Sequence, residues 1–419
     1  MFLSLVFVLL LSFIGGMIQS ASIHITKSEK RADTKLALES VFAEYHSDMQ
    51  KEYGIFAKLD GDETKFSRRL WFYGAKNMKH EIQRIQFLTD GNGEAFYEQA
   101  IRSLGGEVAD TKEVPILSWE EQEENVNRQL DDILTETEQQ LPAENNPIEV
   151  VKNLKKSSLL TIVLSEPETV SNRYVALEEL PSHRNLAEGT GFAIESSKSG
   201  VGQKALFVTY LEMHFPDYIE NKKENSLFYE AEYLLEGHES DQENLEAVLQ
   251  KISVIRTGIN YAYLLTDQTK QAEAETMAMT LCSLLMIPEA SELVKQAILF
   301  AWAYGEGICD LRILAEGKKV PLVKTQETWQ LSLENLMKLG TEEEVQTSIE
   351  DGEGISYGDY IKTFLLAEKT EALCMRALDL MELKLGIRVD GCVTAVRIKS
   401  TCDMQLGIQD TFLTEYKYQ

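Results

Sequence analysis

Residues 1–23, MFLSLVFVLL LSFIGGMIQS ASI, carry no formally charged side chain, and the first one, Lys27, comes only after the apolar run has ended. At about 1.5 Å per residue a helix of this length spans roughly 35 Å, slightly more than the hydrocarbon core of a bilayer. The stretch reads as a membrane anchor. Phe2, Leu5 and Leu9 supply its apolar surface, and Ser12, Gly15, Gly16 and Ser20 are small residues at which a second helix can approach closely, although no strict GxxxG is present. Two rival readings are a cleaved secretory signal and the buried helix of a soluble domain. Ser20-Ala21-Ser22 would suit a cleavage site, but the run from Phe2 to Ile18 is longer than a usual h-region and no Lys or Arg precedes it.

Lys27, Lys30 and Arg31 all follow the span, so the positive-inside rule taken literally would keep the C-terminal part in the cytoplasm. With only Met1 ahead of the run, the rule has no second flank to compare. Beyond the span, no Gly or Pro occurs between Gly16 and Gly54, and Leu38, Val41, Phe42, Tyr45 and Met49 recur at helical spacing. An unbroken helix from Met1 to Tyr53 would be a rod of roughly 80 Å, apolar all round at first and amphipathic afterwards. A joint near Ser22 is the alternative.

With 68 acidic against 41 basic residues the formal charge is −27, which argues against nucleic acid and against an anionic membrane surface as electrostatic partners. The five cysteines lie in the C-terminal third without a CxxC, and the six histidines are scattered, so the spacing of a zinc site is absent. Cys282, Cys309 and Cys374 sit in apolar helical patterns as buried thiols. Cys392 and Cys402 fall in what read as adjacent strands, where a cross-strand disulfide is one expectation for an exported chain.

Along the chain, Glu81 to Leu88 reads as a strand, Asp90-Gly91-Asn92-Gly93 as a turn, and Glu94 to Leu104 as a helix. Ser118-Trp119-Glu120-Glu121 opens an acidic helix to about Gln140, and Pro142 and Pro147 bracket a linker. The polar, glycine-containing stretch from Pro167 to Gln203 is expected to be mobile. Thereafter the pattern is helical. Ser240 and Asp267 are N-caps, Pro288 divides two helices, and Ala297 to Leu314 reads as a buried core helix rather than a second span. Leu227 to Glu236 is extended or mixed. Ser356 starts a helical stretch that Gly386 closes, and Ile387 to Lys399 and Thr401 to Thr414 read as strands joined near Ser400 and able to pair with Glu81 to Leu88.

No P-loop, Rossmann, EF-hand, G-x-S-x-G, H-E-x-x-H or Ser/His/Asp spacing occurs, and Trp302 and Trp329 read as core packing rather than a ligand box. No catalytic, cofactor-binding or metal-ligating residue is assigned. The expected fold class is α+β, predominantly helical, with a long N-terminal transmembrane and amphipathic helix, a helical C-terminal unit and a small antiparallel sheet that includes the C-terminal strands. The corresponding divisions are anchor 1–23, amphipathic continuation 24–53, an α+β unit 54–141, a loop-rich linker 142–203, a helical domain 204–386 and a strand pair 387–419.

Several stretches resemble an uncharacterised bacterial family with an N-terminal hydrophobic span and a domain of unknown function. They are Ser240 through Thr266-Asp267, Gln271-Ala272-Glu273-Ala274-Glu275, Ala301-Trp302-Ala303-Tyr304, Gly317-Lys318-Lys319-Val320-Pro321-Leu322-Val323-Lys324 and Trp329-Gln330-Leu331-Ser332-Leu333. Phe2-Leu3-Ser4-Leu5 with Gln19-Ser20-Ala21 is similar to that family's span, itself similar to the span of TadE/TadG-type pseudopilins of tight-adherence (Flp) pilus systems. The resemblance implies a non-enzymatic, single-pass envelope protein of the cell membrane with its large C-terminal part extracytoplasmic. Its partners would be the lipid bilayer and other membrane proteins of a pilus or secretion assembly. Gln19 stands where that span commonly has Glu, and no leader is read ahead of Phe2, so processing by a prepilin peptidase is not part of the expectation. The alternatives are a membrane-tethered extracytoplasmic binding or sensor domain, and a hydrolase whose site has no sequence signature.

Overall fold

The computed structural model describes residues 2–59, 62–105, 128, 147–192, 201–220, 229–336, 338–339, 353–404 and 407–418. In chain order its principal elements are α1 (Phe2–Phe42), α2 (Ser47–Tyr53), β1 (Lys58–Leu59), α3 (Glu63–Phe72), β2 (Met78–Phe87), α4 (Asp90–Ser103), α5 (Pro147–Lys156) and α6 (Leu159–Val163). They continue with α7 (Val201–His214), α8 (Glu230–Glu236), α9 (Asp241–Leu264), α10 (Gln268–Leu285), α11 (Ser291–Ala315), α12 (Tyr357–Ala367), α13 (Thr370–Leu385), β3 (Cys392–Asp403) and β4 (Gln409–Lys417). The fold is α+β and mostly helical. The expected acidic helix, apart from Arg128, and the linker 142–146 lie outside the described residues.

Two compact units divide the chain, each assembled from separated segments. The first comprises Met1–Val108, Glu178–Tyr210 and Lys369–Gln419, the second Ala109–Leu177 and Leu211–Glu368.

The first unit holds an antiparallel sheet in which β3 is central. It pairs along most of its length with β2 on one side and with β4 on the other, and β1 adds Lys58 and Leu59 opposite Val393 and Cys392. The expected pairing of the tail strands with the early strand is thus present. The join is elsewhere: Ser400, read as a turn residue, is fully buried mid-strand, where its hydroxyl lies 2.9 Å from His80 Nδ1. A partner for that hydroxyl removes the cost that makes Ser a turn former. The reversal falls between β3 and β4, closed by Met404 N–H donating to the Ile408 carbonyl.

This topology rules out the expected disulfide. Cys392 and Cys402 lie at opposite ends of the same strand, ten residues and therefore roughly 33 Å apart, whereas bridged Cα atoms lie within about 7 Å. All five cysteines are free and buried.

α1 is unbroken through Ser22 but ends at Phe42, short of the expected Tyr53. His46 accepts from Met49 N–H as the N-cap of α2, so the chain turns there, and Tyr45 packs against Phe56 instead of continuing the α1 stripe. On α1, Thr34, Ala37, Leu38, Val41 and Phe42 are buried, the i, i+3, i+4, i+7, i+8 face of a helix laid on a core. Ala37, Leu38, Val41 and Phe42 join Phe66 and Leu70 of α3, Ile85 of β2, Val393, Val396 and Ile398 of β3, and Tyr418.

In the second unit α9 and α11 pack together, and α10 lies on α11. Ser240, Asp267 and Ser356 cap α9, α10 and α12 as their sequence predicts, Ser356 in a reciprocal capping box with Asp359. Of the undecided stretch, Glu230–Glu236 is helical, as α8, and residues 227–228 lie outside the described residues. α11 is the expected core helix, with Ala297 to Leu311 buried throughout. Its Gly305 does not break it. A Cβ there would run into the side chains of Leu331, Leu336 and Leu339, so glycine lets the following segment lie directly on the helix.

Candidate functional site

Among the described residues α1 is the one helix long and apolar enough to cross a membrane, and its most apolar window is not buried at all. Phe2, Leu5, Leu9, Ser12, Gly15, Gly16, Gln19 and Ser20 all lie on this exposed half. A Cβ placed at Gly15 or Gly16 would meet nothing within 4 Å, so nothing in this chain demands glycine at either position.

The passage from the exposed half to the buried half is held electrostatically. Lys27 Nζ lies 3.0 Å from Asp410 Oδ1 and Arg31 Nη2 3.3 Å from Asp410 Oδ2. The Arg31 guanidinium also lies over the Phe412 ring at 5.4 Å. Burial opposes the charge of Asp410, but Lys27 and Arg31 outweigh it and keep the carboxyl below its ordinary range. Lys30 donates to the Lys76 carbonyl at 3.2 Å. At the other end of the packed half, Tyr416 stacks on Phe42 at 4.4 Å and the Tyr418 hydroxyl donates to the Phe42 carbonyl. Of the three cations that the sequence assigns only to topology, Lys27 and Arg31 therefore seat the helix on β4, and Lys30 ties it to the segment before β2. Asp410 carries no sequence signal, because its partners come from the other end of the chain.

The region expected to be mobile is, over residues 178–190, a strap held by carboxylates of the first unit. Asp379 accepts from Ser182 N–H at 2.8 Å and Ser182 Oγ at 2.5 Å, and Arg184 bridges Glu382 and Asp390. Asp90 accepts from Gly189 N–H at 2.9 Å, and Thr190 pairs with Ile85 through N–H and hydroxyl. A polar segment lacks an apolar core of its own but can still be ordered when its backbone donors meet ionised acceptors. Ser182, His183 and Asp379 come together here, yet the serine stands between the other two, with His183 Nδ1 at 2.7 Å from Ser182 Oγ. A hydrolytic relay places the imidazole in the middle. Gly189 has no room for a side chain, since a Cβ would overlap the Asp90 carboxylate and the Ile85 carbonyl. Gly189→Ala is expected to cost about 1–3 kcal/mol by forcing the strap outward. Trypsin cleavage after Arg184, slow in the native chain, should then accelerate; an unchanged cleavage rate would contradict the strap.

The second unit contains a fully buried ionic cluster. Lys324 Nζ lies 2.6 Å from both Glu306 Oε1 and Asp310 Oδ1, and Arg256 reaches Asp310 Oδ2 through Nε at 2.9 Å and Nη2 at 2.7 Å. Arg256 also donates to the carbonyls of Pro321 and Leu322, and Glu306 accepts from Gln330 and Leu331 N–H. Two cations balance two anions. Burial works against the Lys324 ammonium, but Asp310 and Glu306 outweigh it and hold it protonated. Beside the cluster, the Trp302 and Trp329 indoles both donate to the Leu331 carbonyl, and the Lys270 ammonium lies over both rings at 4.5 and 4.8 Å. The aromatic pair is core packing, closed by a cation of the same chain. The sequence signal for the cluster was charge inside apolar helical faces, at Arg256, Glu306 and Asp310.

Among the described residues no group of His, Cys, Asp and Glu could hold a metal ion. A family model described as a family of unknown function, DUF5702, matches residues 137–404. The chain belongs to DUF5702. The DUF5702 match takes in the ionic cluster, the strap and β3, and leaves α1 and its seat on β4 outside. No curated protein matches the chain, and no solved structure does.

Proposed function

We propose that this protein is a single-pass, membrane-anchored envelope protein, a pseudopilin-like or accessory component of a Tad/Flp-type pilus or secretion system, with its large acidic part outside the cytoplasm. The observation that carries the reading is α1 itself. It is a single 41-residue helix whose first half exposes apolar side chains and whose second half packs on an antiparallel sheet. An apolar half exposed on every side needs a non-aqueous partner, and lipid together with neighbouring spans is the partner its length fits. The role is to hold an acidic body at the membrane and pack laterally, with Ser12, Gly15, Gly16 and Ser20 on the approach face and no chemistry of its own.

The expected result is recovery in the membrane fraction after high-salt washing, with residues 1–22 intact. Photo-crosslinks from Leu9 should reach other membrane proteins of such an assembly, and Gly15→Leu with Gly16→Leu should lower their yield. Recovery in the aqueous fraction, or a mature amino terminus beyond Ser22, would remove the anchor. A tethered binding domain is the second reading, favoured by an open groove of about 650 Å³ lined by Phe42, Tyr45, Phe56, Tyr416 and Tyr418.

A further inference from the structure

The two edges of the sheet are finished differently. Along β2, on the side away from β3, Ile82 N–H donates to Glu63 Oε1 at 3.0 Å, Ile85 N–H to the Thr190 hydroxyl at 2.9 Å and Phe87 N–H to Asp90 Oδ2 at 2.8 Å, while the Ile85 carbonyl accepts from Thr190 N–H at 3.1 Å. β4 is the opposite edge, and it pairs with β3 in one uninterrupted register, from Gln409 opposite Asp403 to Lys417 opposite Ala395. Past its end Tyr418 N–H donates to the Thr394 carbonyl directly across, and before its start Met404 N–H donates to the Ile408 carbonyl. In an antiparallel ladder, hydrogen-bonded and non-hydrogen-bonded pairs alternate. Counted from either end, Asp410, Phe412, Thr414 and Tyr416 therefore bond to β3, and the N–H and C=O groups of Thr411, Leu413, Glu415 and Lys417 point away from it. Among the described residues none of these outward groups has a cap of the kind found on β2. Nor does β4 carry the usual edge protection: it runs for nine residues without a proline or a register shift, and its charged side chains are engaged within the chain, Asp410 by Lys27, Glu415 by Arg397 and Lys417 by Glu98.

The open groove lies along this same edge. Side chains of successive strand residues project to opposite faces, so a groove lined by Glu415, Tyr416, Lys417 and Tyr418 in succession follows the rim of the strand rather than either face. Tyr45 and Phe56 line it as well.

We infer that the free edge of β4 takes up an extended, basic peptide segment of a partner protein as a further strand, with a side chain lodged in the aromatic groove. The edge supplies main-chain donors and acceptors, which hold an extended backbone whatever its sequence, and the groove supplies the selection. Selection for a cation follows from the rim, where the exposed Tyr45 ring and the Glu39 carboxylate both border the groove. Among the described residues the only cation within ion-pair distance of Glu39 is Lys35, at 4.0 Å and 72% exposed, a pair too weak to compete with a better-placed partner. The chain shows the same chemistry at the other end of β4, where Arg31 lies over the Phe412 ring at 5.4 Å while pairing with Asp410. A net charge of −27 draws basic segments in over longer range.

This inference deepens the reading of the groove as a binding site and rests on it, independently of the membrane anchor. The full chain in detergent micelles is titrated with a short fluorescein-labelled peptide that alternates threonine and arginine, and anisotropy reports binding. Every second amide of an added strand faces β4, so N-methylation of all the threonines and of all the arginines should differ, one set weakening binding by about tenfold or more and the other by no more than about twofold. Hydrogen exchange at the Leu413 and Glu415 amides should slow when the peptide is bound, while Phe412 and Thr414 are protected with or without it. Leu413→Pro removes one outward N–H at a position where an edge strand tolerates proline, and should weaken binding by about tenfold as well. A peptide alternating threonine and glutamate should bind at least about tenfold more weakly than the arginine peptide, and equal binding would overturn the basic partner. Equal losses from the two methylated sets, or unchanged exchange at Leu413 and Glu415, with binding intact, would overturn strand addition and spare the groove as a binding site. No binding of the arginine peptide would overturn the inference and leave the groove unassigned. A doubled protein mass by light scattering, reversed by the peptide, would give the edge to a second copy of this chain and also overturn it.

Discussion

Replacing Lys324 with Met will destabilise the second unit by about 3–5 kcal/mol, the usual cost of leaving a buried partner charge without its counterion. The ammonium is the only group within ion-pair distance of Glu306 among the described residues, and it shares Asp310 with Arg256. Methionine matches the length and apolar stem of lysine, so the loss is electrostatic rather than a cavity. The measurement is urea unfolding of the full chain followed by tryptophan emission, with Trp302 and Trp329 reporting from beside the cluster. Adding Glu306→Gln should recover part of the loss by removing one of the stranded carboxylates. A cost below about 1 kcal/mol for Lys324→Met alone, typical of solvated pairs, would mean that water reaches the cluster.

The second expected result concerns Glu232, which α8 buries completely. Its Oε1 accepts from the Tyr357 hydroxyl at 2.7 Å and from Tyr218 N–H at 2.9 Å, and among the described residues Oε2 has no hydrogen-bond partner. Burial raises its pKa from 4.5 to about 8, with the Asp217 carboxylate adding to the effect. A folded-state value above the unfolded one means that folding takes up a proton. The associated stability is complete below pH 4.5 and is lost as pH rises through about 8. At about 1.4 kcal/mol per pKa unit the loss amounts to several kcal/mol. Glu232→Gln imitates the neutral acid and removes this dependence. Its melting temperature should exceed that of the native chain at pH 8 and approach it near pH 5. The difference between the two chains is the readout, because Asp390, which burial opposes but Arg388, Ala187 N–H and Arg184 hold down at about 2, contributes in the opposite sense at lower pH. Parallel curves for the two chains between pH 5 and 8 would contradict a neutral Glu232.

Local chemistry accounts for what could be read ahead of the fold. The caps at Ser240, Asp267 and Ser356 act within three residues of themselves, and the apolar run of α1 and the filled face of α11 are statements of composition and period. The turn misread at Ser400 and the strap misread as mobile share one cause. In each a polar residue has a partner far along the chain, His80 320 positions from Ser400 and Asp379 197 from Ser182, and propensity measures only the cost of having none. The disulfide expectation failed because two cysteines separated by ten residues look alike whether they face each other across a hairpin or lie along one strand.

The sequence by itself determined that an apolar helix leads into an acidic, mostly helical chain, because hydrophobic length, charge and helical period are properties of neighbouring residues. Only the tertiary structure decided that Asp410 receives Lys27 and Arg31, that Lys324 neutralises two carboxylates, and that β4 lies beside α1. Coulomb and hydrogen-bond energies depend on distances of a few ångströms, and those distances exist only once remote segments have been packed together.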